Sequence, residues 1–171
     1  MSILAIDPSL TSTGYAYRKG DDILVGTIKS KFKGAARLYD IQQGILEIIY
    51  DGMPKLAVIE GYAMGRFAGR AFDLGELGGV LKLLLWTSNI QTLIVPPTCL
   101  KLFATGKGNA DKDAVRIAMA KDRGKLFKGD DESDAYGLLR MGDAFLNGRE
   151  LPRDKRHYKR QALASCSMLG G

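Results

Sequence analysis

Four carboxylates in three separate segments carry the clearest chemical signal in this chain. Asp7 closes the apolar run of LAIDPSLTSTGYAY, Glu60 closes that of LAVIEGYA, and Asp131 and Asp134 lie in GDDESDAYGLL. Each stands where a strand ends or a helix begins, the places where an α/β fold exposes reactive groups while the rest of the strand is buried. Carboxylates converging on one point repel one another, and divalent cations make such a cluster tolerable. An all-oxygen donor set suits Mg²⁺ or Mn²⁺ over zinc. Asp131 and Asp134, three apart, share one face of a helix. Taken singly, each acid has an ordinary reading: Asp7-Pro8 as a turn initiator, Glu60 as a surface residue, Asp131 as a helix-start carboxylate favoured by the dipole. Their joint occurrence favours the metal site.

The elements that must position these acids are legible from periodicity. Ile3 to Ile6 and Leu56 to Ile59 are short continuous apolar runs, expected for central strands covered on both faces. Tyr15 to Arg18 and Ile23 to Ile28, separated by Lys-Gly-Asp-Asp, read as a hairpin. Leu38, Ile41, Ile45, Ile48 and Ile49 follow helical spacing, and Gly52 and Pro54 stop that helix. Neighbouring parallel strands lie about 4.8 Å apart, so Asp7 and Glu60 at their ends can share one ion. Leu93 to Val95 is a last short strand. A helix or turn is expected over 98–104 and helices over 111–121 and 131–145, and the Leu83 to Trp86 run belongs to a buried helix. Glycine inside a helix costs roughly 1 kcal/mol relative to alanine, so Gly75, Gly78 and Gly79 imply close approach of something, within one core or from a second chain.

With 171 residues the chain fits one domain, and its 46% hydrophobic and 26% charged residues are those of a globular protein. The boundaries read as one domain over 1–148 and a basic tail over 149–171, where Arg149, Arg153, Lys155, Arg156, Lys159 and Arg160 cluster. A net charge of +6 and a pI near 9.3 favour an anionic partner, most simply nucleic acid. Cys99 and Cys166 lack the spacing of a zinc site or a disulfide framework. No basic leader and no run of 18 apolar residues is present, so no membrane partner and a cytoplasmic setting are expected.

From Ile3 to about Phe145 the chain resembles the RuvC family of Holliday junction resolvases, within the RNase H-like superfamily. The resemblance rests on the strand ending in Asp-Pro followed by Thr-Gly-Tyr, on Val-Ile-Glu, on Asp-x-x-Asp-Ala, on LGELGGV (Leu74 to Val80) and on LKLFATGKGNADKDAV (Leu100 to Val115). It implies an α/β fold with a five-stranded mixed sheet flanked by helices, the second strand antiparallel to the rest. It also implies a homodimer joined through the LGELGGV helix and two Mg²⁺ ions per site, with Mn²⁺ as a substitute. Asp7 would bridge the ions, with Glu60 and Asp134 or Asp131 on opposite sides. The substrate would be branched DNA, a four-way junction cut by paired nicks that leave 5′-phosphate and 3′-hydroxyl ends. Asp131 is chosen over Asp130 because it alone is three residues from Asp134 and in register with the family.

The same resemblance makes Lys101 and Lys112 contacts to the DNA backbone. Lys107 lies in a loop, Thr105 to Asn109, whose amides suit phosphate without forming a Walker motif. Arg66 and Arg70 flank Phe67, an aromatic and basic mix suited to a splayed base. The family commonly carries an aromatic three residues after the glutamate; here that position is Ala63, leaving Tyr62 or Phe67 to substitute. The short format and basic tail are similar to bacteriophage members, which act on a wider range of branched DNA in a host cytoplasm. Three other readings compete. One is an RNase H-like nuclease for flaps, forks or RNA–DNA hybrids. Another is a nucleotide-binding protein of the actin and hexokinase type, which needs about twice the length and a second phosphate loop. The third is a non-catalytic junction-binding module.

Overall fold

A computed structural model of the chain describes residues 1–61, 68–147, 151 and 157–170. Tyr62, Arg66 and Phe67, the side chain of Arg70, and the basic residues Arg149, Arg153, Lys155 and Arg156 lie outside the described residues. The order of elements is β1 (Ser2–Asp7), β2 (Thr13–Lys19), β3 (Asp22–Ile28), α1 (Gly34–Gly52), β4 (Leu56–Glu60), α2 (Ala68–Thr87), β5 (Gln91–Val95), α3 (Pro97–Thr105), α4 (Lys112–Arg123), α5 (Asp130–Asn147), α6 (Tyr158–Ala164) and β6 (Ser167–Met168). Among the described residues no helix is long and apolar enough to cross a membrane.

The strands form one sheet in the order β3-β2-β1-β4-β5-β6. β1, β4 and β5 run parallel, and β2 is antiparallel to both its neighbours. The expectation of five strands is corrected to six. Ser167 and Met168 pair antiparallel with Ile94 and Leu93, and the Leu169 amide donates to the Thr92 carbonyl at 2.9 Å. Two residues are too few to show strand alternation, so nothing in the local pattern announces β6; the open edge of β5 selects it.

Helices cover both faces, which is why β1 and β4 are apolar throughout. Alternation sends Ile3, Ala5, Leu56 and Val58 into the core beneath α3, α4 and α5, and Leu4, Ile6, Ala57 and Ile59 into that beneath α1 and α2. α1 contributes Ile41, Ile45 and Ile49 to the latter. Gly52 ends α1 for a reason other than the turn, since the left-handed residue is Met53, at φ 50°. A Cβ at Gly52 would run into the Tyr17 ring, whose hydroxyl donates to the Gly52 carbonyl at 2.5 Å. Glycine is there to let β2 and α1 close up.

α5 lies across β1, β2 and β4 at unusually short range, and glycines permit it. A Cβ on Gly142 would approach a Val58 methyl to 2.7 Å, and one on Gly137 a Leu100 methyl to 2.6 Å. At the N-terminal end of α5, Gly14 of β2 plays the same part against Asp131. A buried ion pair of Arg18 with Asp143 pins the far end, and Arg140 links Asp143 to Asp122 at 3.2 and 2.9 Å. The start of α5 is thereby held over the ends of β1 and β4.

The Leu83 to Trp86 run does not lie in a buried helix. Leu84 and Leu85 face the core, whereas Leu83 and Trp86 are each 61% exposed. Among the described residues α2 is apolar on two sides and buries one of them.

Candidate active site

Period-two alternation places Asp7 on the same face of β1 as Ile3 and Ala5, and Glu60 on the same face of β4 as Leu56 and Val58. That is the face α5 covers. Ile6 pairs with Ile59 in the parallel register, so Asp7 and Glu60 are the next residues on adjoining strands. Asp131 and Asp134 come from the first turns of α5. All four acids line one cavity of about 270 Å³, with Lys101 of α3, Lys112 of α4, Pro8, Ser9 and an apolar wall of Pro97, Leu100 and Val115. Thr13, fully buried beside them, holds the loop after Asp7: its hydroxyl donates to the Ser9 carbonyl at 2.7 Å and accepts from the Ser9 amide at 3.3 Å.

Burial and mutual repulsion dominate the electrostatics. Burial holds the Asp7 carboxyl well above the usual carboxylate range, Glu60, Asp134 and Asp131 push it further, and Asp7 donates a hydrogen bond to Glu60. Glu60 is pushed up to about 7, first by burial and then by Asp134, against the pull of Asp7, Lys112 and Lys101. Burial raises Asp134 to about 6, with Lys112 and Lys101 opposing and Asp130 and Asp131 adding to the rise. Two lysines therefore fall short of neutralising the cluster, and protons stand in for missing positive charge. Among the described residues no three acids or other ligating groups are drawn into a finished metal cage. Like charges without a counterion hold apart. The donors nonetheless fit a hard divalent cation: all are carboxylate oxygens, from separate elements, around a cavity that already favours added positive charge.

The other expected residues divide. Lys101 and Lys112 face the acids. Lys107 sits outside the cavity on the exposed α3–α4 loop, where its amide donates to the Thr105 hydroxyl at 3.1 Å. Asp130 turns away, toward Arg116 at 3.3 Å and Lys112 at 4.0 Å. His157 is remote from the acids and caps α6 through its imidazole. Sequence reasoning missed what Gly14 does. A Cβ there would overlap the Asp131 carbonyl oxygen and lie 2.7 Å from its carbon, and Gly14 pairs directly with Asp7 across the β1–β2 ladder. A glycine inside a strand was the available sign of close backbone approach.

These shifts set a pH dependence. A carboxyl whose pKa is higher folded than unfolded adds stability that is fully present below its unfolded value near pH 4. That stability is lost as pH rises through 6 and 7. Metal-free protein is expected to melt about 5–10 °C lower at pH 8 than at pH 5.5, as the cluster gives up a few kcal/mol. Mg²⁺ at pH 8 should recover most of that loss by binding the folded state. Scanning calorimetry in chelator and in Mg²⁺ checks both; a melting temperature indifferent to pH and to cation would contradict this account of the cluster.

Known proteins similar to this chain point to one family. Residues 3–136 match the family model for crossover junction endodeoxyribonuclease RuvC. The RuvC of Chelativorans sp. is 29% identical over 147 residues, covering 80% of this chain and 84% of that one. The RuvC of Carboxydothermus hydrogenoformans is 29% identical over 155 residues, covering 83% and 98%. Among solved structures, Thermus thermophilus RuvC superposes with a TM-score of 0.72 at 20% identity over 86% of this chain and 97% of its own. The same enzyme in complex with a Holliday junction substrate gives 0.72 over 95% and 97%. With an RNase H-like sheet, acids from β1, β4 and α5 on one cavity and a family match over most of its length, the chain belongs to the RuvC family of crossover junction endodeoxyribonucleases, which are divalent-metal-dependent nucleases.

Proposed function

We propose that this chain resolves four-way DNA junctions as a homodimer, by paired nicks that leave 5′-phosphate and 3′-hydroxyl ends, using two Mg²⁺ ions per site. The observation that carries the proposal is the convergence of Asp7, Glu60, Asp131 and Asp134 on a single cavity walled by Lys101 and Lys112. Glu60, Asp134 and Asp131 all act on Asp7, so Asp7 would be the residue shared between the cations. When bound, the cations supply an activated water and offset the charge on the leaving oxygen. Lys101 and Lys112 draw a phosphodiester to the cavity, and Pro97, Leu100 and Val115 keep bulk water from its far wall. Thr13 holds the Asp7 loop in place, so the loop that carries Asp7 to the cavity is fixed before a cation binds.

The test is cleavage of a labelled four-way junction beside a flap and an RNA–DNA hybrid, at equal salt with Mg²⁺. Symmetric paired nicks in the junction are expected, with Mn²⁺ able to replace Mg²⁺. Cleavage of flap or hybrid with the junction spared would overturn the substrate assignment.

Two active sites on one twofold assembly can meet two related strands of a junction. α2 offers the surface: Phe72, Glu76, Gly79, Leu83 and Trp86, spaced by four and three, form an exposed stripe. Among the described residues a Cβ on Gly79 would meet nothing within 4 Å, so packing against them does not require glycine there. Leu83→Glu is expected to shift sedimentation from dimer to monomer at micromolar concentration and to uncouple the paired nicks, with the fold retained. A variant that sediments as a dimer would remove α2 from the interface.

A further inference from the structure

We propose that the open groove beside the catalytic cavity is a phosphate track for the cut strand, taking its sugar-phosphate backbone as it leaves the scissile position. The proposal deepens the preceding reading, and rests on it for where the scissile phosphate lies. The groove is the larger of the two, about 820 Å³ against about 270 Å³. Thr11, Ser12, Thr27 and Lys29 line it from the sheet side, and Lys128 and Asp131 from the start of α5. Asp131 is the shared wall, since it lines the catalytic cavity as well. A polynucleotide with one phosphate against the acids therefore meets the groove next, past Asp131.

The chemistry of the groove is that of a phosphodiester site. Lys29 and Lys128 are exposed and make no ion pair among the described residues. Arg116, by contrast, is tied to Asp113 and Asp130. The hydroxyls of Thr11, Ser12 and Thr27 add neutral donors between the two ammonium groups. The one further acid at this wall, Glu132, is turned into the fold: its carboxylate accepts from the Lys128 amide at 2.9 Å and the residue is only 8% exposed. Unpaired cations facing hydroxyls across an open channel suit a chain of phosphates and sugars, which reads no base and bears on orientation.

The test removes both lysines in the Asp7→Asn background, as Lys29→Ala with Lys128→Ala. A charge-matched control carries Lys121→Ala with Lys125→Ala, exposed at the end of α4 and in the loop after it, neither of which lines either cavity. Binding of a fluorescent four-way junction and of a linear duplex is followed from about 50 to 200 mM salt, with circular dichroism to check the fold. The groove pair is expected to weaken junction binding about tenfold and to flatten the dependence of log K on log salt by roughly 2, against less than twofold for the control. Equal losses in both pairs, or none, would overturn the track. A protein that cuts flaps and spares junctions, yet loses duplex affinity only in the groove pair, would sink the junction reading and keep the track. Wild type that resolves junctions, with a groove pair indistinguishable from the control, would do the reverse. Failure of Asp7→Asn to bind either DNA would overturn both.

Discussion

Asp7→Asn is expected to reduce junction cleavage by at least about a thousandfold while leaving junction affinity within a few-fold of wild type. Asp7 is the acid every other acid acts on. It hydrogen-bonds Glu60, and the charges of Glu60, Asp134 and Asp131 all bear on it. Asparagine keeps the shape and removes the charge that a shared divalent cation needs, whereas Lys101, Lys112 and the groove lysines stay in place for DNA. The same substitution should stabilise metal-free protein at pH 8, by about 1–3 kcal/mol, because a buried carboxylate among like charges is costly. Cleavage of labelled junction, a gel-shift isotherm and a thermal melt in chelator measure the three effects together. A variant that loses DNA binding along with cleavage would assign Asp7 to substrate contact or to folding, and cleavage within tenfold of wild type would displace it from the site.

The parts of this architecture that sequence reasoning reached are those set by covalent periodicity. The apolar runs Ile3 to Ile6 and Leu56 to Ile59 mark two covered strands with Asp7 and Glu60 at their ends; that the strands are parallel neighbours follows from the resemblance, and the register agrees. The helix spacing of Asp131 and Asp134 needs no tertiary information either. What escaped is set by partners distant in the chain. β6 has two residues and exists because β5 offers an edge. The Leu83 to Trp86 run reads as interior because composition does not tell which apolar residues of a helix face the core and which, like Leu83 and Trp86, stay exposed. Gly52 reads as a helix stop, yet its position is fixed by the Tyr17 ring from β2, 35 residues earlier.

Gly14→Ala should lower cleavage by about a hundredfold or more with DNA binding preserved, although Gly14 carries no chemistry of its own. Gly14 pairs with Asp7 on one side and lies against the Asp131 backbone on the other, so β2 is the spacer between the strand acid and the helix acids. An added methyl meets a carbonyl group with no rotamer to yield, and the first turn of α5 has to move. A displacement of about 1 Å at a reacting centre costs on the order of a hundredfold. Loss of stability alone does not imitate this result, because Gly142→Ala provides the comparison. It also forces a methyl beneath α5, against Val58 and Ile3, but two turns beyond Asp134 and away from the acids. Both variants are expected to lose about 1–3 kcal/mol. Only Gly14→Ala should also need a higher Mg²⁺ concentration for half-maximal cleavage, since its ligands no longer converge. If the two variants lose stability and activity in the same proportion, Gly14 is a packing residue and the spacing of the acids is set elsewhere.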